Sequence, residues 1–435
     1  MIRLSEPASH QPTVTPARPH NWAGNVEYST ATLLDAHTVQ QVCDVVRAQP
    51  QLTTLGTRHC FNRIADSRHA LLRSDSFAES IGIDPVARTV TVNAGITYGR
   101  LASALDAQGY ALHNLASLPH ISVAGSCATG THESGEDNGT LSSAVAALDL
   151  VTASGDLLHL SRAQSGDDFR GAVVGLGALG VVVRITLDIE PRYDMRQSVY
   201  VDMPLHAARD HFDEIQASAY SVSLFTDWHS KRCNAWLKTR VGEVANTDVA
   251  ILFGAARASH DVHPIADVSA EHCTAQCGVA GPWHERLPHF RLNFTPGSGK
   301  ELQSEYFVPR HHAREAMLAV ERLGAQIAPY LLISEIRTIA ADDLWLSPAY
   351  GRPTVALHFT WTPDGNAVGQ LLPVLECELA PFDARPHWGK LFSHTGAQLA
   401  DVYERLPDFA AMANRFDPHK KFRNAFLETT VFAER

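Results

Sequence analysis

The sequence has no excess of positive charge and no apolar run long enough to cross a membrane. Its 435 residues carry 36 lysines and arginines against 47 acidic side chains, a formal net charge of −11. Non-specific binding to nucleic acid or to anionic lipid depends on basic surface, which such a chain lacks. The longest uncharged apolar stretch, residues 171–183, is interrupted by glycines and falls short of the roughly 20 residues of a membrane span. We therefore expect neither a nucleic-acid partner nor a membrane partner.

Cysteine is scarce and scattered, so no disulfide framework is expected. The seven cysteines are an odd number and stand far apart, whereas disulfide-stabilised domains carry closely spaced pairs. Residues 1–20 contain several prolines and no apolar core of the kind that a signal peptide needs, so we expect a mobile N-terminal arm. The resulting prediction is a soluble protein of the reducing cytoplasm.

Metal ligands at a zinc-type spacing and the nucleophile motif of serine hydrolases are also missing. Histidines and cysteines come together around His260, His272 and His311, but none of these groups has a second ligand pair at the spacing of a structural zinc site. We predict that the protein holds no metal. No G-x-S-x-G sequence is present, so a serine hydrolase has little support.

The chain is too long for one ordinary hydrophobic core, so two domains of unequal size are expected. Apolar residues recur at helical spacing in residues 39–46 and 98–105 and alternate in residues 89–93, which indicates a small mixed α+β unit. Glu190-Pro191 resembles a boundary, because proline ends a strand. Beyond it we predict strands at 221–225, 235–238, 331–339 and 354–361, a helix at 310–323 and a helical face at 399–406.

A glycine-rich segment, residues 175–180, matches the dinucleotide fingerprint G-x-G-x-x-G. That fingerprint must follow a strand and begin a helix, whose N-terminus holds the phosphate. Here β-branched residues 181–189 follow, and they predict a strand. A nicotinamide-dependent enzyme built on this motif is therefore disfavoured.

Two other segments could hold a cofactor. His59 follows the glycine turn at Gly56, where it could be a nucleophile, a metal ligand or a cofactor tether, or an ordinary surface or core histidine. Residues 115–132 are rich in small and hydroxyl side chains and would offer many backbone N–H groups to a pyrophosphate, or form a tightly packed buried loop.

Polar side chains interrupt two apolar strands in the second half of the chain. Glu335 and Arg337 share one face of the strand at 331–339, and His358 and Thr360 share one face of the strand at 354–361. They are either functional, because a buried charge must be paired, or a solvated pair on an exposed face. Lys390 follows a Trp-Gly pair; beside Arg337 its pKa would be lowered, which suits a proton acceptor.

Several sequence blocks, taken in order, resemble the alditol oxidases, including xylitol oxidase, of the vanillyl-alcohol oxidase flavoprotein family. The blocks are residues 21–25, 56–62, 117–125, 129–132, 335–338, 358–361 and 387–390. The resemblance extends from Asn21 to Phe426 and implies an α+β protein with an FAD-binding domain and a substrate cap domain. We expect the arm at residues 1–20, the FAD-binding domain at 21–194, the cap domain at 195–395 and, at 396–435, a C-terminal segment that returns to the first domain.

The resemblance implies that FAD is bound covalently, through its 8α-methyl carbon, to His59. It also implies a set of residues around the cofactor: Gly56, Thr57, Arg58, His59, Cys60, Ser117, Ser122, Gly125, Thr129, Gly130, Thr131, His132, Val182, His387 and Asn424.

The expected reaction is oxidation of the terminal primary alcohol of an alditol such as xylitol or sorbitol to the aldose, with O2 reduced to H2O2. The resemblance implies Arg337, Lys390 and Glu335 as catalytic residues. It implies substrate binding by Ser117, Glu335, Arg337, His358, Thr360 and Lys390, and we expect a monomer. A sugar-lactone oxidase or dehydrogenase of the same superfamily, or a flavin-binding sensor or carrier without turnover, are the alternatives.

The sequence departs from the family pattern at Cys60, where serine is expected, and at Glu133, where glycine is expected. Cys60 adjoins His59, and neighbours in extended backbone point to opposite sides, so we predict a single covalent bond to the flavin. Glu133 would either alter the flavin potential or lie in solvent.

Overall fold

The computed structural model describes residues 17–243, 249–292 and 301–433. Most of the arm predicted at residues 1–20 lies outside the described residues. Up to residue 191 the elements are, in order, β1 (Leu33–Leu34), α1 (Val39–Ala48), β2 (Thr53–Leu55), β3 (Leu71–Arg73), β4 (Ile81–Asp84), β5 (Thr89–Asn93), α2 (Tyr98–Ala107), β6 (Tyr110–Ala111), α3 (Val123–Ala128), β7 (Val145–Val151), β8 (Leu157–Ser161), α4 (Gly166–Val173), β9 (Val181–Asp188) and β10 (Glu190–Pro191).

The second half of the chain alternates long strands with helices. Its elements are β11 (Asp194–Pro204), α5 (Leu205–Asp210), α6 (Phe212–Gln216), β12 (Ser221–Thr226), β13 (Arg232–Arg240), β14 (Ile251–Leu252), β15 (Ala255–Arg257), β16 (Gly281–Pro282), β17 (Leu302–Pro309), α7 (Ala313–Arg322), α8 (Gly324–Ile327), β18 (Leu331–Ile339), β19 (Thr354–Trp361), α9 (Gly365–Leu379), β20 (Arg385–Pro386), α10 (Gly396–Val402), α11 (Leu406–Phe416) and α12 (Ala425–Thr430).

The elements before residue 191 form small sheets. Strands β1, β3 and β2 pair in parallel, and β4-β5-β9-β7-β8 form an antiparallel sheet. Strand β9 starts directly after Gly180, which confirms that the glycine motif runs into a strand and not into a helix. Helices α1 and α2 begin where the sequence supplies a cap: Thr38 and Thr97 each accept a hydrogen bond from a backbone N–H in the first turn.

The elements after residue 191 are organised by one ten-stranded antiparallel sheet. Its order is β14-β15-β11-β13-β12-β18-β19-β17-β20, and β16 pairs with β11. Successive side chains of a strand point to opposite faces, so Ile336 of β18 and Leu357 of β19 enter the apolar cluster that contains residues of α7 and α9. Glu335, Arg337 and His358 consequently lie on the other face.

The predicted helical face at 399–406 is divided between two helices. Helix α10 ends at Val402 and α11 starts at Leu406, with Pro407 in its first turn. Proline has no N–H to continue an earlier helix but is tolerated in a first turn, which explains the break. Leu399 and Leu406 nevertheless pack in the same apolar cluster as Val90 of β5 and Ile185 of β9.

Among the helices of the described residues, none is both long and apolar enough to cross a membrane.

Candidate active site

One cavity of ≈ 490 Å³ brings together most of the residues that the sequence predicted for the site. It is lined by the predicted residues Gly56, Thr57, Arg58, His59, Cys60, Ser117, Ser122, Gly125, Thr129, Thr131, His132, Val182, Glu335, Arg337, His358, Thr360, His387 and Lys390. Positions more than 300 residues apart in the chain therefore face the same space.

Gly130 and Asn424, also predicted as cofactor contacts, are not among the residues that line this cavity. Gly130 has a φ of 68°, and a Cβ there would lie 2.8 Å from the ring of Pro348, so the glycine serves a tight turn. The Asn424 amide caps α12 and donates 2.9 Å hydrogen bonds to the carbonyls of Ile64 and Asp66. The Asn424 side chain therefore forms its hydrogen bonds with other parts of the protein.

The turn that carries His59 is fixed by residues 21–25. Asn21 donates from Nδ2 to the Cys60 carbonyl at 2.9 Å, and the Trp22 N–H donates to the Arg58 carbonyl at 2.7 Å. The Trp22 ring stacks on His59, with centroids 5.3 Å apart. These contacts hold Arg58 at a φ of 65°, a conformation that is strained for a residue with a side chain.

His59 presents a ring nitrogen without a hydrogen-bond partner within this turn. Burial lowers the pKa of His59 to about 4, so the imidazole is neutral near pH 7. Its Nδ1 atom is buried and has no hydrogen-bond partner among the described residues. A neutral imidazole with an unused nitrogen can form a covalent bond to an electrophilic carbon.

Cys60 lines the same cavity as His59. The backbone turns sharply at the preceding Arg58, whose φ is 65°. Burial raises the pKa of the Cys60 thiol to about 12, which keeps it protonated. Because the thiolate is the nucleophile, the structure gives a different reason to expect a single bond at His59.

The turn is also joined directly to the segment that carries Lys390. Asn62 donates from Nδ2 to the carbonyls of Trp388 and Lys390, each at 2.8 Å. The Phe61 N–H donates to the Gly389 carbonyl at 2.7 Å. The position of Lys390 thus depends on the position of the His59 turn.

Two glycines bring backbone close to the cavity. A Cβ at Gly56 or Gly125 would lie 2.8 or 2.7 Å from the Ser122 hydroxyl oxygen, which is inside van der Waals contact. The Ser122 N–H donates to the Thr57 hydroxyl at 3.1 Å. The segments around Gly56 and Gly125 therefore pack against each other with exposed backbone, as an extended dinucleotide needs.

Another part of the cavity wall carries a buried network of charges around Arg337. Its Nη2 lies 2.7 Å from Glu305 Oε1, its Nη1 3.2 Å from Glu133 Oε2 and its Nε 3.6 Å from Glu335 Oε2. Lys390 Nζ lies 2.8 Å from Glu305 Oε2. Arg337 and Glu335 are both only 4% exposed, so the alternative of a solvated pair is wrong. Pairing of this kind is the condition under which charges remain buried.

Burial and pairing shift the pKa values of several members of the network. Burial opposes ionisation of Glu305, but Lys390, His132 and Arg337 hold its pKa well below the usual value. Burial lowers the pKa of Lys390, Glu305 partly restores it, and Arg337 lowers it again, which confirms the predicted direction. Burial and the Lys390 charge lower the pKa of His358 to about 3, so His358 is a neutral imidazole.

Sequence reasoning missed Glu305, Lys238 and His289, and left the location of Glu133 open. Glu305 stands beside a run of apolar residues in its strand, which is the signal that marked Arg337, whereas Lys238 stands in a strand with several other polar residues. His289 carries no such signal, because it lies outside a regular strand. Glu133 has no exposed surface, so the alternative that it lies in solvent is wrong.

The donor atoms of Glu133, His289 and Glu335 lie within 4.8 Å of one another, a spacing that a metal ion could use. Lys238 Nζ lies 3.9 Å from Glu133, and Arg337 contacts Glu133 and Glu335. Cations of the protein therefore already neutralise these carboxylates, and the group is better described as an ion-pair network.

Comparisons with known proteins agree with this site. Residues 31–161 match the model of the FAD binding domain, and residues 298–430 match that of D-arabinono-1,4-lactone oxidase. Alditol oxidase from Streptomyces sp. is 46% identical over 94% of this chain and 97% of its own length. L-gulono-1,4-lactone dehydrogenase from Mycobacterium tuberculosis is 27% identical over 94% of this chain and 98% of its own.

The fold is similar to that of cholesterol oxidase from B. sterolicum, with a TM-score of 0.77, 14% identity and coverage of 98% and 100% of the two chains. Fold and site together define an FAD-dependent oxidoreductase with an FAD-binding domain and a second domain. The chain belongs to the vanillyl-alcohol oxidase flavoprotein family, as its similarity to the Streptomyces alditol oxidase over nearly the whole length of both chains shows.

Proposed function

We propose that this protein oxidises the terminal primary alcohol of alditols such as xylitol and sorbitol to the aldose and reduces O2 to H2O2. The observation that carries the proposal is the buried Arg337–Glu305–Lys390 arrangement, which faces the same cavity as His59. The relative with 46% identity, an alditol oxidase, supports the choice of substrate.

FAD would extend between the His59 turn and the segment around Ser122 and Gly125, with a covalent bond to His59. The unused Nδ1 of a neutral His59 and the close glycine backbones support this placement. The bound flavin supplies the two-electron acceptor for the oxidation.

The remaining chemistry is done by side chains in and beside the Arg337 network. Arg337 and Lys390 bind the reacting oxygen, and the charge of Arg337 stabilises it as its proton leaves. Lys390 is the candidate proton acceptor, because its lowered pKa makes a neutral amine accessible. Glu335, Ser117 and Thr360 bind the hydroxyls along the chain, and His358 lies beside them as a neutral imidazole.

A sugar-lactone oxidase or dehydrogenase is the second candidate. The match of residues 298–430 to the D-arabinono-1,4-lactone oxidase model favours it, since that segment carries Arg337 and Lys390. A lactone has fewer hydroxyls than an alditol of the same length, so a site with several polar groups would be less well satisfied by it.

Turnover of xylitol, sorbitol and an aldonolactone, each followed by H2O2 release, separates the two candidates. We expect the highest kcat/KM with an alditol. Turnover of the lactone with no peroxide from any alditol would contradict the proposal and support the second candidate.

The covalent bond has a separate test. Protein precipitated with acid should keep its yellow colour, and His59→Ala should give a colourless pellet although the holoenzyme still binds FAD. His37→Ala, at an exposed histidine, should keep the colour. Colour retained in the His59→Ala pellet would contradict the assignment of His59.

We further propose that the protein is a cytoplasmic monomer with domain limits near residues 194 and 395. Sedimentation velocity tests the monomer, and cell fractionation tests the location. Limited proteolysis tests the domain limits.

A further inference from the structure

Glu133 lies behind the cavity wall and contacts two of the residues assigned above to the substrate. Ser117 donates from its hydroxyl to Glu133 Oε2 at 2.8 Å, and Arg337 Nη1 donates to the same oxygen at 3.2 Å. Ser117 and Arg337 line the cavity, whereas Glu133 does not. Glu133 can therefore act on a ligand only through these two side chains.

The surroundings of Glu133 keep it ionised. Burial opposes ionisation, but His289, Arg337 and Lys238 lower the pKa of Glu133 to about 2. Its second oxygen, Oε1, lies 3.3 Å from His289 Nε2 and 3.9 Å from Lys238 Nζ. An ionised carboxylate accepts hydrogen bonds and cannot donate one.

Further side chains surround Glu133. Lys238 Nζ lies 3.2 Å from His289 Nδ1, and His289 Nε2 lies 2.9 Å from Glu335 Oε1. The side of Glu133 away from Ser117 faces His289 and Lys238, but its Oε1 has no hydrogen-bond partner among the described residues.

The Ser117 hydroxyl has one proton, and that proton is directed at Glu133. Only the lone pairs of its oxygen remain for a molecule in the cavity. We propose that Glu133 is a positioning residue that fixes Ser117 as a hydrogen-bond acceptor, so that the site selects a substrate with a hydroxyl donor at this position. It would disfavour a molecule that presents an ether oxygen, a carbonyl or a halogen there.

This inference rests on the proposed function, because an alditol has a hydroxyl on every carbon. It goes further in that it predicts which hydrogen-bonding property is selected at one position. A substrate hydroxyl that finds no acceptor in the site is left unpaired. A substrate acceptor placed against the Ser117 oxygen, which is also an acceptor, likewise leaves buried polar atoms unpaired.

The probes are xylitol and the series of xylitols in which one hydroxyl is replaced by fluorine, which cannot donate. With the unmodified protein, kcat/KM should fall about hundredfold or more at one carbon. In Glu133→Gln the amide N–H can donate to the Ser117 oxygen. The Ser117 hydroxyl proton is then free to point into the cavity. The penalty, which is the loss of kcat/KM caused by fluorine at that carbon, should then shrink about tenfold. The penalties at the other carbons should stay the same.

A double-mutant cycle shows whether Glu133 acts through Ser117. Ser117→Ala should remove the penalty at the same carbon. Adding Glu133→Gln to Ser117→Ala should not change the penalty at that carbon further. The control is Glu136→Gln, at a carboxylate that pairs with Arg310 at 2.8 Å and does not line the cavity; it should keep the penalty.

An unchanged penalty in Glu133→Gln, or a change that persists without the Ser117 hydroxyl, overturns the inference. If Glu133→Gln does not fold, Ser117→Ala alone decides, since an undiminished penalty at every carbon would also overturn it. Failure of the proposed function is distinct from these results, because the unmodified protein would then not oxidise xylitol at all.

Discussion

Lys390 combines two properties that oppose each other. Burial and Arg337 favour its neutral form, and the carboxylate of Glu305, 2.8 Å away, favours its ammonium form. The balance leaves its pKa below that of a solvated lysine. A proton acceptor gains from such a shift, because more of it is unprotonated at the working pH.

If Lys390 accepts the proton of the substrate, kcat/KM should rise with pH and reach a plateau below the ordinary lysine pKa of about 10.4. The sign follows because the active form is the neutral amine, which gains population as pH increases. Lys390→Met should lower kcat/KM by a factor on the order of 10²–10⁴ and remove this rise. Steady-state rates from pH 6 to 10 measure both effects.

Lys231→Met, at an exposed lysine, is the control and should keep the pH profile. A rate that falls through the same pH range would show instead that the ammonium form is required. Lys390 would then stabilise charge on the oxygen, and another group would accept the proton.

At the scale of the elements, the strands that form the site could be predicted from the sequence. The reason is that the alternation of side chains between the two faces of a strand is a local property. Strands β18 and β19 occupy the residues that the sequence predicted, 331–339 and 354–361. A charged residue in an apolar strand was enough to mark Arg337. The same pattern is present at Glu305 but not at Lys238, whose strand carries several other polar side chains.

The pairing of the strands could not be predicted in the same way. In the sheet, His358 stands opposite Glu335 on one side and opposite Glu305 on the other. That arrangement depends on register, and a slip by one residue would turn these side chains to the helix-covered face. Contacts between strands distant in sequence leave no local pattern, so the role of Glu305 became visible only in the fold.

The loop after β18 provides a prediction about stability. Asp342 accepts hydrogen bonds from the Leu344 N–H at 3.1 Å, the Ser347 hydroxyl at 2.6 Å and the Thr140 hydroxyl at 3.3 Å. Burial nevertheless raises the pKa of Asp342 to about 6. A pKa raised above its unfolded value of roughly 3.9 stabilises the fold at low pH, and this contribution is lost as pH rises through 6.

We therefore expect the free energy of unfolding to lose about 1 kcal/mol from this group between pH 5 and pH 8. Asp342→Asn, which has no charge to bury, should lack this loss. Denaturant unfolding at the two pH values measures the difference between the variant and the unmodified protein. Asp343→Asn, at the exposed neighbour, is the control. Equal pH dependence with and without the Asp342 carboxylate would contradict the assignment.

At the scale of the whole molecule, the site depends on contacts between two segments that lie more than 300 residues apart in the chain. Residues 59–62 provide the histidine, and residues 388–390 provide a lysine of the same cavity wall. Three hydrogen bonds from Asn62 and Phe61 join these segments directly. The sequence indicated both segments separately through the family resemblance, but it gave no indication that one backbone holds the other.

Asn62→Ala tests this connection. The change leaves the carbonyls of Trp388 and Lys390 without their donor, and each unsatisfied buried group costs about 1–3 kcal/mol. We expect a lower free energy of unfolding and a kcat/KM reduced roughly 10- to 100-fold, because a small displacement of Lys390 weakens its hold on the reacting oxygen. FAD should remain covalently bound, since the contacts of residues 21–25 with the His59 turn are unchanged. Asn366→Ala, at an exposed position, is the matched control. Loss of the flavin together with the activity would show that Asn62 supports the His59 turn itself, and an unaffected kcat/KM would show that the Asn62 side chain is not needed to position Lys390.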